Sequence, residues 1–312
     1  MVDKRDICFI HARQRGGDYI CEGVEASGYR VVIPYKDYNL LLRCLREAWF
    51  RLHLPHRELW FNSELKEIGA KTLIVSDPLI VRELLFWLRE RHPRSRIILA
   101  YENRVSKTLA PEEIKSWVDE LWTYDPEDSE RYGMRLDKPF YLDVYRLREH
   151  REPVWDILSV SRDKGRGEEL LQLEKRLREL GLKTCFRICP DRSFQRYKKI
   201  YYKPFLPYQD YLGLLVRSRS ILNIMPAGQT GITQREMEAV FDGVKCITTN
   251  RGIRKFKLYD PSRYFILGEE RLEDISQFLD RPFRPIAEEE LWEFRFETRL
   301  KRMLEADGGK LS

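Results

Sequence analysis

Residues 221 to 250 read ILNIMPAGQTGITQREMEAVFDGVKCITTN, and the order of features within them decides the fold. The apolar run ILNIM (221–225) ends in a turn carrying Gly228 and Gly231. A helix starts near Thr233 and stops at Asp242-Gly243, and a second apolar run ends in CITTN (246–250). Strand, glycine turn, helix and strand form a crossover unit, which is how neighbouring parallel strands are joined. The same unit recurs on both sides. DILSVS (156–161), TCFRIC (184–189) and YFILG (264–268) read as further strands. Between them, Leu170, Leu173, Leu177 and Leu180 share one helical face closed by Gly181, and helices are expected over 208–216, 233–241 and 272–279.

The first half repeats the pattern. DICFIH (6–11), RVVIPY (30–35), TLIVSD (72–77), RIILAY (96–101) and ELWTYD (120–125) alternate with helical leucine and aromatic spacing over 40–52 and 79–91, where Pro78 suits a first helical turn. The charged segment RLREHREP (146–153) lacks apolar periodicity and ends in proline, so it reads as the linker. The expected architecture is α/β, with two Rossmann-like domains facing a central cleft. Residues 1–152 are expected to form the first domain and 153–285 the second. One long helix within 286–312, about 288–304, docks across the interface. Ligands of such sheets bind outside the carboxyl ends of the strands.

The chain has 312 residues, more than one ordinary domain holds, and its 43% hydrophobic content is enough for two cores. Its 56 basic and 50 acidic residues leave +6, a bias too small to require nucleic acid as an obligate partner. No run approaches roughly 18 uncharged apolar residues, and the start lacks a cleavage pattern, so a cytoplasmic protein is expected, with a possible peripheral position at the inner face of a membrane. Cys8, Cys21, Cys44, Cys185, Cys189 and Cys246 are scattered and read as reduced packing residues. His53 and His56 flank a proline without an acidic or cysteine partner at ligand spacing, and read as loop residues.

Several polar residues fall at expected strand ends. Gly228 and Gly231 allow close backbone approach to a phosphate, and the amides opening the next helix point at it. Thr233 and Glu236 make a capping box, whereas Glu238, two positions on, could accept hydrogen bonds from ribose or sugar hydroxyls. Lys164 and Arg166 flank Gly165 after the first strand of the second half and could neutralise a diphosphate. In the first half His11 and Asp18 bracket Gly16-Gly17, with Asp77, Glu102 and Asn103 at neighbouring strand ends. Asp18 is the first choice as a base, Glu102 the second, and His11 completes the set. RSFQRYKKIYYKPF (192–205) holds five basic, five aromatic and no acidic residues. That composition fits an anionic membrane surface, RNA, or an edge strand guarded by lysines.

GQTGITQREMEA, with the following glycine and the strand ending in TTN, resembles the donor-binding half of nucleotide-sugar glycosyltransferases of the GT-B fold. Together with YDPEDSERYG and YENRV it is similar to bacterial glycosyltransferase-like proteins of lipopolysaccharide and capsule assembly. The resemblance implies transfer of a sugar from a nucleotide-diphosphate sugar to a saccharide or lipid-linked acceptor. The donor is a substrate, and no cofactor or metal is implied. It also implies that Lys164, Arg166, Gly228, Gln229, Thr230, Gly231, Thr233, Arg235 and Glu238 hold the donor. Thr230 stands where many retaining members carry a second carboxylate. The other expectations are a non-catalytic nucleotide- or RNA-binding protein and a nucleotide-sugar epimerase or hydrolase of the same architecture.

Overall fold

Apolar runs without polar alternation are strands covered on both faces, and both sheets are built from them. The computed structural model describes residues 3–12, 18–77, 80–147, 149, 151–191, 195, 197–225 and 231–306. It divides into two compact units, Met1–Lys138 with Lys301–Ser312, and Pro139–Leu300.

The first unit runs β1 (Ile7–Ile10), α1 (Tyr19–Ala26), β2 (Arg30–Val32), α2 (Leu40–Arg51), β3 (Thr72–Ser76), α3 (Arg82–Arg91), β4 (Arg96–Tyr101), α4 (Pro111–Ile114), β5 (Glu120–Thr123), α5 (Pro126–Tyr132) and β6 (Arg135–Leu136). Its sheet is parallel in the order β2-β1-β3-β4-β5-β6. Ile10, Leu73, Val75, Ile97 and Leu99 form the buried centre with Leu84, Leu85 and Leu88 of α3. The motif YDPEDSERYG has a local explanation. Asp125 caps α5 by accepting from the Glu127 and Asp128 amides, Pro126 opens the helix, and Gly133 ends it at φ 64°.

The second unit runs β7 (Trp155–Arg162), α6 (Gly167–Glu179), β8 (Thr184–Cys189), α7 (Tyr208–Leu215), β9 (Ser218–Asn223), α8 (Gln234–Phe241), β10 (Lys245–Thr248), β11 (Tyr264–Ile266), α9 (Ile275–Asp280), α10 (Glu288–Leu291) and α11 (Phe296–Glu305). Its sheet is parallel, in the order β11-β10-β9-β7-β8. The expected α/β class with two Rossmann-like parallel sheets is therefore what the chain forms. Ile157, Leu222, Ile247 and Phe265 from the strands pack with Leu170, Leu177 and Phe278 from the helices.

Two stretches differ from expectation. Residues 139–152 lie within the second compact unit. The Arg146 Nε donates to the Phe241 carbonyl at 3.2 Å, and the Arg151 amide to that of Val216 at 3.1 Å. The helix expected over 288–304 is broken: α10, one 3-10 turn (Trp292–Phe294), then α11, with Arg295 extended between them. Tyr141 accounts for the break, because its amide donates to the Phe294 carbonyl at 2.8 Å and its carbonyl accepts from the Phe296 amide at 2.9 Å. Within α11 the chain passes from the second unit to the first, at Lys301. The carboxyl end of this helix is held by Arg96, whose guanidinium donates to the carbonyls of Met303, Leu304 and Ala306.

Candidate functional site

Both sheets have a first strand lying between their second and third. At that reversal the connecting helices leave to opposite faces, opening a crevice at the carboxyl edge. In the first unit His11 follows β1, Asp77 follows β3, Glu102 and Asn103 follow β4, and Asp18 caps α1. The structure gathers them. His11 Nε2 lies 3.0 Å from Asp18 Oδ2, and Nδ1 lies 3.5 Å from Glu102 Oε1. Asp18 Oδ1 accepts from the Cys21 amide at 3.3 Å. Asp77 accepts from the Glu102 amide and, at 3.2 Å, from Asn103 Nδ2, which fixes the β4 turn. Burial depresses the basicity of His11, but the Asp18 hydrogen bond and the charges of Glu102, Asp18 and Asp77 outweigh it, so its pKa is raised. Burial also raises that of Asp77, against the hydrogen bonds it accepts.

Accessibility separates the three expected catalytic residues. The side chains of His11 and Asp18 are 3% and 4% exposed, whereas that of Glu102 is 26% exposed. Asp18, the first choice from sequence, faces inward with one oxygen on the α1 cap and the other on His11. Glu102 is the carboxylate that a ligand can reach. Gly16 and Gly17 lie outside the described residues.

At the corresponding edge of the second unit, β7 ends in Asp163-Lys164-Gly165-Arg166-Gly167. Lys164 and Gly165 have φ of 45° and 80°, so the turn is left-handed where glycine is favoured. Asp163 organises it, accepting from the Gly167 amide at 2.7 Å and from the Tyr202 and Tyr201 hydroxyls at 2.5 and 3.3 Å. Burial pushes the Asp163 pKa up, but these donors and Lys199 hold it below its ordinary value. Lys164 is exposed, and its amide donates to Asp191 Oδ1 at 3.0 Å.

Arg166 turns across the strand ends. Its Nη1 donates to the Ile224 carbonyl after β9, while its buried Nε makes no hydrogen bond among the described residues. Arg235, in the first turn of α8, donates to the Val160 carbonyl of β7. Burial and the charge of Arg235 both lower the Arg166 pKa. Neither guanidinium has a carboxylate ion-pair partner among the described residues.

Gly228, Gln229 and Thr230 lie outside the described residues. The carbonyl of Gly231 accepts from Asn250 Nδ2 at 3.3 Å. Thr233 and Glu236 form the expected capping box, and Glu236 also accepts from Thr248 Oγ1 and Asn250 Nδ2, both at 3.0 Å. Glu238 departs from expectation. It is only 2% exposed, and its two oxygens accept from the Tyr208 hydroxyl at 2.8 Å and from the Tyr211 hydroxyl. Burial raises its pKa. A sugar hydroxyl would have to displace a tyrosine to reach it, because α8 turns this face into the unit. Beneath α8 the buried Asp242 carboxylate accepts from the Tyr141 hydroxyl at 2.8 and 3.0 Å and from the Leu147 amide at 2.9 Å.

Within the basic, aromatic stretch, residues 197–205 form irregular turns with a parallel bridge from Ile188 to Tyr202 and, among the described residues, no regular edge strand. Tyr201 and Tyr202 serve Asp163. Ile200 is fully exposed and Tyr197 80% exposed, beside Lys198 and Lys203.

The fold defines a protein of two Rossmann-like α/β units, each with polar side chains gathered at its strand-order reversal. No protein-family model matches the chain, and no curated protein matches it. Among solved structures it is similar to a lipopolysaccharide outer core galactosyltransferase, WaaB, in its apo form. The identity is 12% over 96% of this chain and 98% of that one, at a TM-score of 0.46. It is also similar to a putative UDP-N-acetylglucosamine 2-epimerase from Listeria monocytogenes (10% identity, 88% and 87% covered, TM-score 0.48) and to the spinosyn forosaminyltransferase SpnP (12%, 96% and 98%, 0.43). At such identities and TM-scores these likenesses carry nothing about reaction or substrate. Among the described residues no helix is long and apolar enough to cross a membrane.

Proposed function

We propose that the chain is a glycosyltransferase that uses a nucleotide-diphosphate sugar and a hydroxyl acceptor, a saccharide or a lipid-linked saccharide. The observation that carries this reading is the pair Arg166 and Arg235 at the strand-order reversal of the second sheet. Two guanidiniums, one lowered in pKa by burial and by the other, and neither in an ion pair with a carboxylate among the described residues, make a site for an anion. A diphosphate supplies that anion, and the turn at Lys164 to Gly167 adds positive charge at its rim. In the reaction the sugar C1–O bond to the diphosphate breaks, with its electron pair leaving on the diphosphate. A new C1–O bond forms to the acceptor oxygen, and the acceptor proton passes to a carboxylate or imidazole base. Arginine, rather than magnesium or manganese, stabilises the leaving group.

The test begins with thermal-shift screening of nucleotides and nucleotide sugars, then measures turnover with a matched donor and acceptor. Arg166→Ala is expected to lower kcat by about 10²-fold with a smaller change in donor binding, the pattern of a group acting on developing charge. Added magnesium or manganese is expected to change nothing. A requirement for either ion, with Arg166→Ala fully active, would place the leaving-group charge elsewhere. Donor consumption that ignores every added acceptor would instead favour a hydrolase or epimerase.

A further inference from the structure

The end of β1 and the start of α1 bring three different metal-binding side chains together. A ring nitrogen of His11, a carboxylate oxygen of Asp18 and Cys21 Sγ lie within 4.8 Å of one another, and all three residues are buried. The local sequence builds this arrangement. His11 leaves the strand, Asp18 caps the helix through the Cys21 amide, and Cys21 in the first helical turn is thereby held beside the cap. We infer that these residues form a site for one thiophilic divalent cation of the zinc class, with His11, Asp18 and Cys21 as ligands.

The dimensions suit such an ion. Zinc bonds of about 2.0–2.2 Å to nitrogen and oxygen and about 2.3 Å to sulfur put tetrahedral neighbours roughly 3.3–3.7 Å apart. The His11 Nε2 to Asp18 Oδ2 separation of 3.0 Å needs only a small opening, and the 4.8 Å limit on the set needs only side-chain rotation. The second shell is also in place. His11 Nδ1 makes no hydrogen bond among the described residues and faces Glu102 at 3.5 Å, as in sites where a carboxylate orients a ligating imidazole. Asp18 and Glu102 lie 3.0 and 3.5 Å from the imidazole nitrogens, carboxylate charge that a dication would neutralise, and a thiolate ligand selects zinc, cobalt or iron over magnesium and manganese. The inference does not draw on Arg166 and Arg235, the residues that carry the glycosyl-transfer reading.

The experiment titrates metal-stripped full-length protein with Co²⁺ and follows the near-ultraviolet thiolate-to-cobalt charge-transfer band. One equivalent is expected to saturate the band, and Zn²⁺ to displace it. The band is expected to survive Cys44→Ser, which removes the exposed thiol, and to disappear in Cys21→Ser. Asp18→Asn, which retains helix-capping ability, is expected to weaken Co²⁺ binding. A band that persists in Cys21→Ser, or wild-type protein without saturable binding, overturns the site. Should Cys21→Ser fail to fold, an unchanged Co²⁺ dissociation constant in Asp18→Asn overturns it equally.

Discussion

Asp242→Asn is expected to stabilise the second unit above neutral pH and to do less in acid. Asp242 is 1% exposed at the end of α8, and burial, the first of several causes, raises its pKa from the ordinary 3.8 to about 7. Glu238 adds to the rise, while the Leu147 amide, the Tyr141 hydroxyl and Arg146 oppose it. The sign follows from proton counts. Between about pH 4 and 7 the folded chain holds a proton that the unfolded chain has released, so stability falls as pH rises through this window and is level above it. A shift of about three units at 1.36 kcal/mol each puts the total at about 4 kcal/mol. Asparagine resembles the protonated acid and keeps an acceptor for the Leu147 amide, so it removes the ionisation cost alone. Hydrogen exchange of 141–147 and 234–242, corrected for intrinsic rates and read at pH 5 and pH 8, measures the opening free energy. The variant should exceed wild type by roughly 1.7 kcal/mol at pH 5 and by about 4 kcal/mol at pH 8. A gap independent of pH, or a less stable variant at pH 8, would refute the assignment of a buried, proton-holding carboxyl.

Other outcomes follow from the same contacts. Gly167→Ala places a Cβ 2.5 Å from the Tyr201 hydroxyl oxygen and 2.9 Å from Asp163 Oδ2. It should cost about 1–3 kcal/mol in thermal or denaturant unfolding and increase exchange around 163–167. Glu236→Ala removes the carboxylate half of the α8 capping box, leaves the buried Thr248 hydroxyl without its acceptor and leaves Asn250 Nδ2 only the Gly231 carbonyl, so a loss of about 1–3 kcal/mol is expected in denaturant unfolding. Ile200→Asp combined with Lys198→Gln should reduce sedimentation with phosphatidylserine vesicles, as should added salt. Wild-type protein that ignores such vesicles would leave the turn as a cover for β8.

Sequence alone determined the layered α/β plan, because runs such as RIILAY and DILSVS can be buried on both faces only inside a parallel sheet, and crossover helices must then separate them. It also determined the capped helix start at Thr233, whose hydrogen bonds span three residues. Strand ends were legible for the same reason, so His11, Asp18, Glu102 and Arg166 could be named as edge residues. What those side chains do was settled by contacts distant in sequence. Glu238 turns inward because Tyr208 and Tyr211, from another helix, reach its two oxygens. Asp163, unremarkable in SRDKGRG, orders its turn because Tyr201 and Tyr202, nearly forty residues on, donate to it. The helix expected over 288–304 stops at Arg295 because the backbone of Tyr141 pairs with the residues on either side. Periodicity and capping are properties of neighbouring residues and can be read along a chain. Burial, pairing and the resulting charge states depend on which segments meet, and only the folded chain decides that.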